Sequence, residues 1–266
     1  MTILIVFIFG LMVGSFLNVV ILRMDELETI VNTRSHCPKC KKDLSWYDLV
    51  PLLSFLLLRT RCRYCKEKIS LQYPLVELGT ALGFAAVYQF VVNQGIGFEW
   101  QVISLIFYLL IVSFLVVLFV YDLRKYLVPD EIVWPAIILT VIFQVLAIQF
   151  IPDYRLNWMD LLLGGLIGAG VPALLSIPSK GKWMGYGDIA IGALLGLVLG
   201  YPLAIVGLFM AFCAGGLVGV VLILAGYKKL TSAVPFGPFL TAGTFAALLY
   251  GERILNWYLG FFGLRY

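Results

Sequence analysis

The feature that most limits the fold of this chain is a series of long stretches without a charged residue. The longest covers residues 189–227, which is 39 residues. Further charge-free stretches cover residues 1–22, 78–98, 100–121, 132–152, 161–179 and 230–251. A helix of about 20 mostly apolar residues crosses the hydrocarbon core of a bilayer. Because the longest stretch has room for two short spans separated near Gly200-Tyr201-Pro202, the sequence predicts eight transmembrane helices.

Composition excludes the soluble classes of protein. Apolar residues make up 62% of the 266 residues and charged residues only 13%, against roughly 25% charged residues in a soluble domain. A spanning β-barrel would show alternating segments of ~10 residues, whereas these stretches are continuously apolar. The predicted fold is therefore an all-α, polytopic membrane helix bundle in a lipid bilayer, and no motif for binding nucleic acid is present.

The polar segment at residues 23–73 divides the chain. We expect a first transmembrane helix at 1–22, a polar insert at 23–73 and a membrane-embedded bundle at 74–266. Basic residues concentrate on the cytoplasmic side of membrane proteins. Alternation across eight spans places sixteen of the nineteen basic residues on one side, so the sequence predicts a cytoplasmic insert with both termini outside.

Four of the five cysteines lie in this insert as two CxxC pairs. These are Cys37, Cys40, Cys62 and Cys65. Two such pairs are typical of a tetrahedral Cys₄ zinc site, and a structural zinc ion would supply folding free energy to a segment with few large apolar residues. Disulfides or a redox CxxC are the alternatives, although a cytoplasmic insert disfavours the first. We expect His36 to be a bystander and Cys213 to serve packing.

Two acidic residues occupy matching positions at the predicted membrane boundary. Asp122 ends the third span and Asp188 begins the sixth, so both fall on the cytoplasmic side. Ionisable groups at membrane depth are costly and often functional. A close carboxylate pair can share a proton and activate water, as in aspartic proteases; alternatively, the two acids are unrelated. Gly185 and Gly187 precede Asp188 in a GxGD motif and would permit a close backbone approach and positive φ angles.

At these positions the sequence resembles the bacterial prepilin peptidases of the GxGD aspartic class. The resemblance extends over nearly the whole chain through motifs at residues 14–20, 34–40, 61–65, 73–77, 122–124, 128–130, 185–188 and 235–238. It implies cleavage of the leader of type IV prepilins and pseudopilins at the cytoplasmic face of the bacterial inner membrane, with Asp122 and Asp188 as the catalytic pair. It also implies N-methylation of the new N-terminus with S-adenosylmethionine.

One residue departs from the family pattern. Ala190 stands where the family often has a lysine, which questions any role assigned to that lysine. Asn18 and Glu77 lie within or beside predicted spans, where they would either line the methyl-transfer site or form helix–helix hydrogen bonds. The other functions considered are a peptidase without methyltransferase activity, a membrane transporter that uses the intramembrane acids, and an assembly scaffold.

Overall fold

The computed structural model describes residues 2–24, 35–151, 154–227 and 234–263. Its helices are α1 (Thr2–Arg23), α2 (Leu53–Leu57), α3 (Gln72–Val92), α4 (Phe98–Lys125), α5 (Asp130–Phe150), α6 (Trp158–Ser176), α7 (Gly187–Leu199), α8 (Leu203–Leu224) and α9 (Gly237–Gly260). A 3₁₀ turn at Trp46–Asp48 precedes α2. Within these ranges the fold is all-α, with two isolated β-bridges in the insert. Arg34 of the family motif, and Lys228, Lys229 and Arg265, which contributed to the predicted orientation, lie outside the described residues.

Eight helices of 13 to 28 residues follow one another in the predicted order within the described residues and confirm a polytopic helix bundle. Six of them, α1, α3, α4, α5, α6 and α8, are long and apolar enough to cross a membrane. Helix α7 falls outside this set because it has 13 residues, and α9 because Glu252 and Arg253 interrupt its apolar sequence. The predicted break between the sixth and seventh helices lies between α7 and α8.

The second span begins six residues before the charge-free stretch that predicted it. Helix α3 starts at Gln72 and includes Glu77, which is buried. The main-chain N–H of Leu52 donates a hydrogen bond to Oε2 of Glu77 at 2.9 Å. A search for charge-free stretches misses this helix start because Glu77 carries a charge. Only the folded structure shows that Leu52 supplies a hydrogen-bond donor for the Glu77 carboxylate.

Two compact units emerge from the packing. The first comprises residues 1–95 with 108–117, and within it α1 packs along α3. The second comprises residues 96–107 with 118–266. Here α7 contacts α5, α6, α8 and α9, and five of its apolar side chains are fully buried: Ile191, Leu194, Leu195, Val198 and Leu199.

The C-terminal end of α7 lies among other helices, so its last carbonyl groups need donors from the protein. The side-chain amide of Gln144 donates to the carbonyl oxygens of Leu197 and Val198 at 3.0 and 3.2 Å. Arg155 donates a further bond to Val198 at 2.8 Å. The chain then turns at Gly200, whose φ is 70°. These bonds allow a helix too short for a full span to end inside the bundle.

Candidate active site and metal centre

Asp122 lies in the last turn of α4, where the helix ends at a left-handed residue. Tyr126 has a φ of 58° and donates its N–H to the carbonyl oxygen of Asp122. The Asp122 side chain is 4% exposed, and its Oδ2 has no hydrogen-bond partner among the described residues. The end of α4 therefore directs a carboxyl group into the interior of the second unit.

Asp188 is the second residue of α7 and is held by the turn before it. The N–H of Gly185 donates to Oδ2 of Asp188 at 3.0 Å, and the N–H of Asp188 donates back to the Gly185 carbonyl at 3.2 Å. The hydroxyl of Ser176, at the end of α6, donates to the same carbonyl at 3.1 Å. Asp188 is 6% exposed, so the GxGD turn fixes a second buried carboxyl group.

Gly237 at the start of α9 brings these elements together. Its backbone N–H acts as a hydrogen-bond donor to the Asp122 carboxyl group. A Cβ at position 237 would lie 2.5 Å from Oδ2 of Asp122 and 2.9 Å from Cδ1 of Ile191, one turn after Asp188. Asp122 also acts on Asp188 electrostatically. We call Asp122, Asp188 and Gly237 the carboxylate site.

The four predicted cysteines form one cluster. The Sγ atoms of Cys37, Cys40, Cys62 and Cys65 all lie within 4.8 Å of one another, and those of Cys37 and Cys65 are 3.8 Å apart. Tetrahedral zinc with Zn–S bonds of about 2.3 Å separates its sulfur ligands by about 3.8 Å. The cluster therefore fits a four-coordinate metal ion.

The backbone around Cys37 favours its thiolate form. Burial of the thiol raises its pKa, but the main-chain N–H groups of Cys40 and Lys39, together with the thiols of Cys40 and Cys62, lower the pKa to about 7. In the same cluster burial and the neighbouring thiols raise the pKa of Cys65 to about 11. Metal binding requires deprotonated thiols, so the environment of Cys37 suits a ligand. His36 pairs with Asp43 in a β-bridge and does not belong to the cluster.

The two CxxC segments are structural repeats of each other, 25 residues apart. In the first, the N–H of Cys37 donates to the Lys42 carbonyl and Lys41 donates to the Cys37 carbonyl; in the second, Cys62 donates to Glu67 and Lys66 to Cys62. Lys41 and Lys66 both have positive φ angles. Sequence analysis missed this repeat, although RSHCPKCKKDLS and RTRCRYCKEKIS align without a gap.

Asn18 and Glu77 are buried in the first unit with partners from the protein. The Asn18 amide donates to the carbonyls of Gly14 and Tyr73 at 3.3 and 3.1 Å, and its oxygen accepts a bond from Gln72 at 3.4 Å. The Glu77 carboxylate accepts the Leu52 N–H, and the Ser15 side chain also bonds to it. These contacts favour the helix–helix interpretation of both residues.

Comparison with known proteins identifies the family. The model of the bacterial peptidase A24 N-terminal domain matches residues 8–91, and that of the type IV leader peptidase family matches residues 109–220. A prepilin leader peptidase/N-methyltransferase of Aeromonas salmonicida is 34% identical, over 96% of this chain and 92% of that protein. The chain belongs to the type IV leader peptidase family.

Other members of the type IV leader peptidase family match a similar share of this chain and of their own length. The prepilin leader peptidase/N-methyltransferase of Bacillus subtilis is 32% identical over 96% of this chain and 97% of its own length. The protein of that name from Aeromonas hydrophila is 35% identical over 96% and 92%. No solved structure matches the chain. The family and the six apolar helices make this a multi-pass protein of the inner membrane.

The two glycines of the family's GxGD motif do not use the conformational freedom that glycine would permit. Neither Gly185 nor Gly187 has a positive φ angle. Gly187 is needed for close packing instead, because a Cβ there would lie 2.6 Å from Cγ2 of Val128. The turn before Asp188 thus packs against the loop that follows Asp122.

Sequence analysis also missed two residues that position the family's site. Gly237 belongs to the quoted motif at 235–238, but nothing in the spacing indicated contact with Asp122. Ser176 ends an apolar helix and would be read as a small packing residue, yet it anchors the GxGD turn. Both contacts depend on tertiary packing, which local spacing does not report.

Proposed function

We propose that this protein removes the leader peptide from type IV prepilins and pseudopilins and then N-methylates the new N-terminus. The observation that carries the proposal is the pair of buried carboxyl groups, Asp122 and Asp188, held in one unit by Gly185 and Gly237. Relatives named for both activities match nearly the full chain. The substrate's apolar helix would lie in the bilayer with its leader in the cytoplasm.

The proposed cleavage uses the two carboxyl groups as an acid and a base. One ionised carboxylate takes a proton from water, whose oxygen attacks the scissile carbonyl carbon, while the other carboxyl group donates its proton to the carbonyl oxygen. The resulting diol then collapses, the C–N bond breaks and the leaving nitrogen takes up a proton. We assign Oδ2 of Asp122 to the reacting water, because this buried oxygen has no bond to the described residues.

We propose methyl transfer because the relatives are named for this activity, and we assign no residue to it. S-adenosylmethionine would supply the methyl group. The polar atoms of Asn18 and Glu77 are already bonded within the protein, so we derive no step of methyl transfer from them. For the Cys₄ cluster we propose zinc in a structural role, since all four positions of a tetrahedral site are filled by cysteine.

We further infer that both termini lie outside and that the carboxylate site faces the cytoplasm. This orientation rests on the distribution of basic residues and on the need for the site to meet the basic leader of the substrate. Accessibility of single tags at each terminus and in the insert, measured in intact cells, tests it. A tag in the insert that is reached from outside would contradict the orientation.

The decisive experiment is mass spectrometry of a prepilin expressed together with the protein. It reports both the loss of the leader and the added methyl mass. We expect Asp122→Asn and Asp188→Asn each to reduce leader cleavage by at least ~10²–10⁴-fold, because each removes an acid or base of the reaction.

Glu131→Gln is the matched control, since Glu131 is an exposed acid at the start of α5. Normal cleavage by either aspartate variant would refute the assignment. Cleaved product without the methyl mass would favour a peptidase without methyltransferase activity. A reconstituted protein that carries a proton flux dependent on these aspartates, and leaves the prepilin intact, would favour a transporter.

A further inference from the structure

Helix α2 presents an apolar face that no other part of the described protein covers. Its sequence is LSFLL, and Leu53, Leu56 and Leu57 fall at positions i, i+3 and i+4, which lie on one side of a helix. These three side chains are 58%, 68% and 81% exposed. A group of exposed apolar side chains on one face of a helix is typical of a site that contacts another protein or a membrane.

The contact with Glu77 shows at which depth this face lies. Leu52, immediately before α2, donates its N–H to Glu77, the sixth residue of α3, and Ser15 of α1 bonds to the same carboxylate. Helix α3 has 21 residues, which at 1.5 Å per residue matches the roughly 30 Å hydrocarbon core. Glu77 lies five residues after the start of α3, which is about 7.5 Å along the helix axis, so this hydrogen bond holds the start of α2 beside the first turns of a candidate membrane span.

The residues around α2 have the chemistry of a membrane interface. Arg59 and Arg61 follow the helix directly and are exposed, and Trp46 ahead of it is 79% exposed. Residues 35–71 contain eight basic and three acidic residues. Tryptophan is enriched at membrane–water interfaces, and basic side chains beside an apolar face bind anionic headgroups.

Helix α2 is also joined firmly to the second CxxC repeat. The N–H of Thr60 donates a hydrogen bond to the carbonyl oxygen of Phe55 in α2 at 3.0 Å. The N–H of Ile69 donates a hydrogen bond to the carbonyl oxygen of Thr60 at 2.8 Å. Arg61 and Lys68 then pair across the repeat that contains Cys62. Whatever binds α2 therefore also fixes the position of the metal cluster.

We propose that the α2 face, formed by Leu53, Leu56 and Leu57, inserts into the lipid surface of the bilayer that α1 and α3 cross, with Arg59 and Arg61 at the anionic headgroups. The lipid is favoured over other occupants because both ends of the insert continue into membrane helices and because Glu77 fixes α2 at the boundary. The insert thereby rests on the membrane instead of extending into the cytoplasm.

Photocrosslinking in the full-length protein tests this placement. The photoreactive residue p-benzoylphenylalanine replaces Leu57 or Leu53, and the protein is reconstituted in vesicles of phosphatidylethanolamine and phosphatidylglycerol, with and without a prepilin. Both leucines are exposed, so neither replacement disturbs a buried contact. After irradiation, mass spectrometry identifies the partner. We expect lipid adducts at both positions, unchanged by the prepilin.

Two further positions calibrate the result. Leu166 in α6, 70% exposed on a candidate span, should give lipid adducts, whereas Asp43 in the first CxxC repeat, which is exposed, should give none. The proposal is overturned if position 57 yields no lipid adduct, if its adduct is a prepilin or a second copy of this chain, or if position 43 labels lipid equally well. Metal content measured for each variant shows that the insert has kept its fold.

Discussion

The Cys insert and the helices around α7 hold their chains together by different means. Between residues 35 and 71, the only buried residues of apolar type are two cysteines, Cys37 and Cys62, and backbone hydrogen bonds and two ion pairs organise the chain. Around α7, glycines let helix backbones touch, and apolar side chains fill the interior. The insert therefore depends on cysteine side chains and ion pairs, whereas the helices around α7 depend on close packing of their surfaces.

This difference follows from the surroundings of each region. Lipid chains are as apolar as leucine, so helices in a membrane associate mainly through close packing of small residues. In α6 and α7, Gly164 and Gly168 meet Gly196 and Gly192 with their backbones in contact. The insert has too few buried apolar side chains to fold by that route, and a metal ion at the Cys₄ cluster would replace the missing core.

The largest expected effect is the loss of the metal ion that we propose for the Cys₄ cluster. Cys62→Ser removes one of four ligands, and we expect the metal content to fall from one ion per chain to none. Because structural zinc contributes about 10–16 kcal/mol in small zinc-dependent folds, the insert should then become sensitive to proteases between residues 35 and 71. Elemental analysis and limited proteolysis measure the two effects.

Cys213→Ser is the control for this experiment, since Cys213 is exposed on α8 and lies outside the cluster. It should retain the metal and the protease resistance of the parent protein. If Cys62→Ser kept both as well, the insert would have to be stabilised without a metal, and the contrast between the two regions would disappear.

The next effect concerns the carboxylate site. Gly237→Ala would place a Cβ 2.5 Å from Oδ2 of Asp122, so we expect the carboxyl group to move. A displacement of about 1 Å in a catalytic group can cost ~10²-fold in rate. Prepilin cleavage should fall by about that factor while the melting temperature in detergent changes little. Gly260→Ala, at the open end of α9, should leave cleavage unchanged, and an equal loss in both variants would contradict the role of Gly237.

A third prediction concerns the packing of α6 against α7. A Cβ on Gly168 would overlap the carbonyl oxygen of Gly192, whereas a Cβ on Gly170 in the same helix meets nothing within 4 Å. We expect Gly168→Ala to lower the free energy of unfolding by about 1–3 kcal/mol and Gly170→Ala to raise it slightly, because alanine favours the helix. Thermal unfolding in detergent compares the two. Equal shifts would show that backbone contact does not determine this packing.

The sequence indicated those features that local spacing determines. Charge-free stretches located eight helices, and the two CxxC pairs located the cluster, because each signal is contained within a short segment. The charge-free stretch begins six residues after the start of α3, because the helix includes Glu77, whose carboxylate receives a hydrogen bond from Leu52, 25 residues away. The contact between Gly237 and Asp122 joins residues more than a hundred positions apart, and no periodicity reports such a pair.

The division of the chain illustrates the same limit. The first helix, the insert and the bundle follow from changes in composition along the chain, whereas the compact units assign the middle of α4, residues 108–117, to the unit of α1 and α3. Within that unit the rings of Phe90 and Tyr108 meet edge to face, with centroids 5.6 Å apart. Composition cannot show which helices a span will pack against, since every span is apolar.

The smallest expected effect lies in the second CxxC repeat. Nε of Arg63, between Cys62 and Cys65, donates to Oδ1 of Asp48 at 2.8 Å, and the Asp48 side chain is 2% exposed. The hydrogen bond to Asp48, helped by its negative charge, raises the pKa of the Arg63 guanidinium above its usual value. Asp48→Asn keeps the shape but removes the charge, so we expect metal affinity to fall by about 10-fold, as for residues that orient ligands indirectly.

Glu67→Gln provides the matched comparison, because it breaks the ion pair of Lys39 and Glu67 at 3.3 Å, whose side chains are both exposed. Exposed pairs contribute about 0–1 kcal/mol, so a competition titration with a metal-binding dye should show almost no change for this variant. If both variants lost the same affinity, general charge around the cluster would explain the effect. A loss confined to Asp48→Asn would instead show that one buried carboxylate holds the second repeat in position to bind the metal, in a region with almost no apolar core to do so.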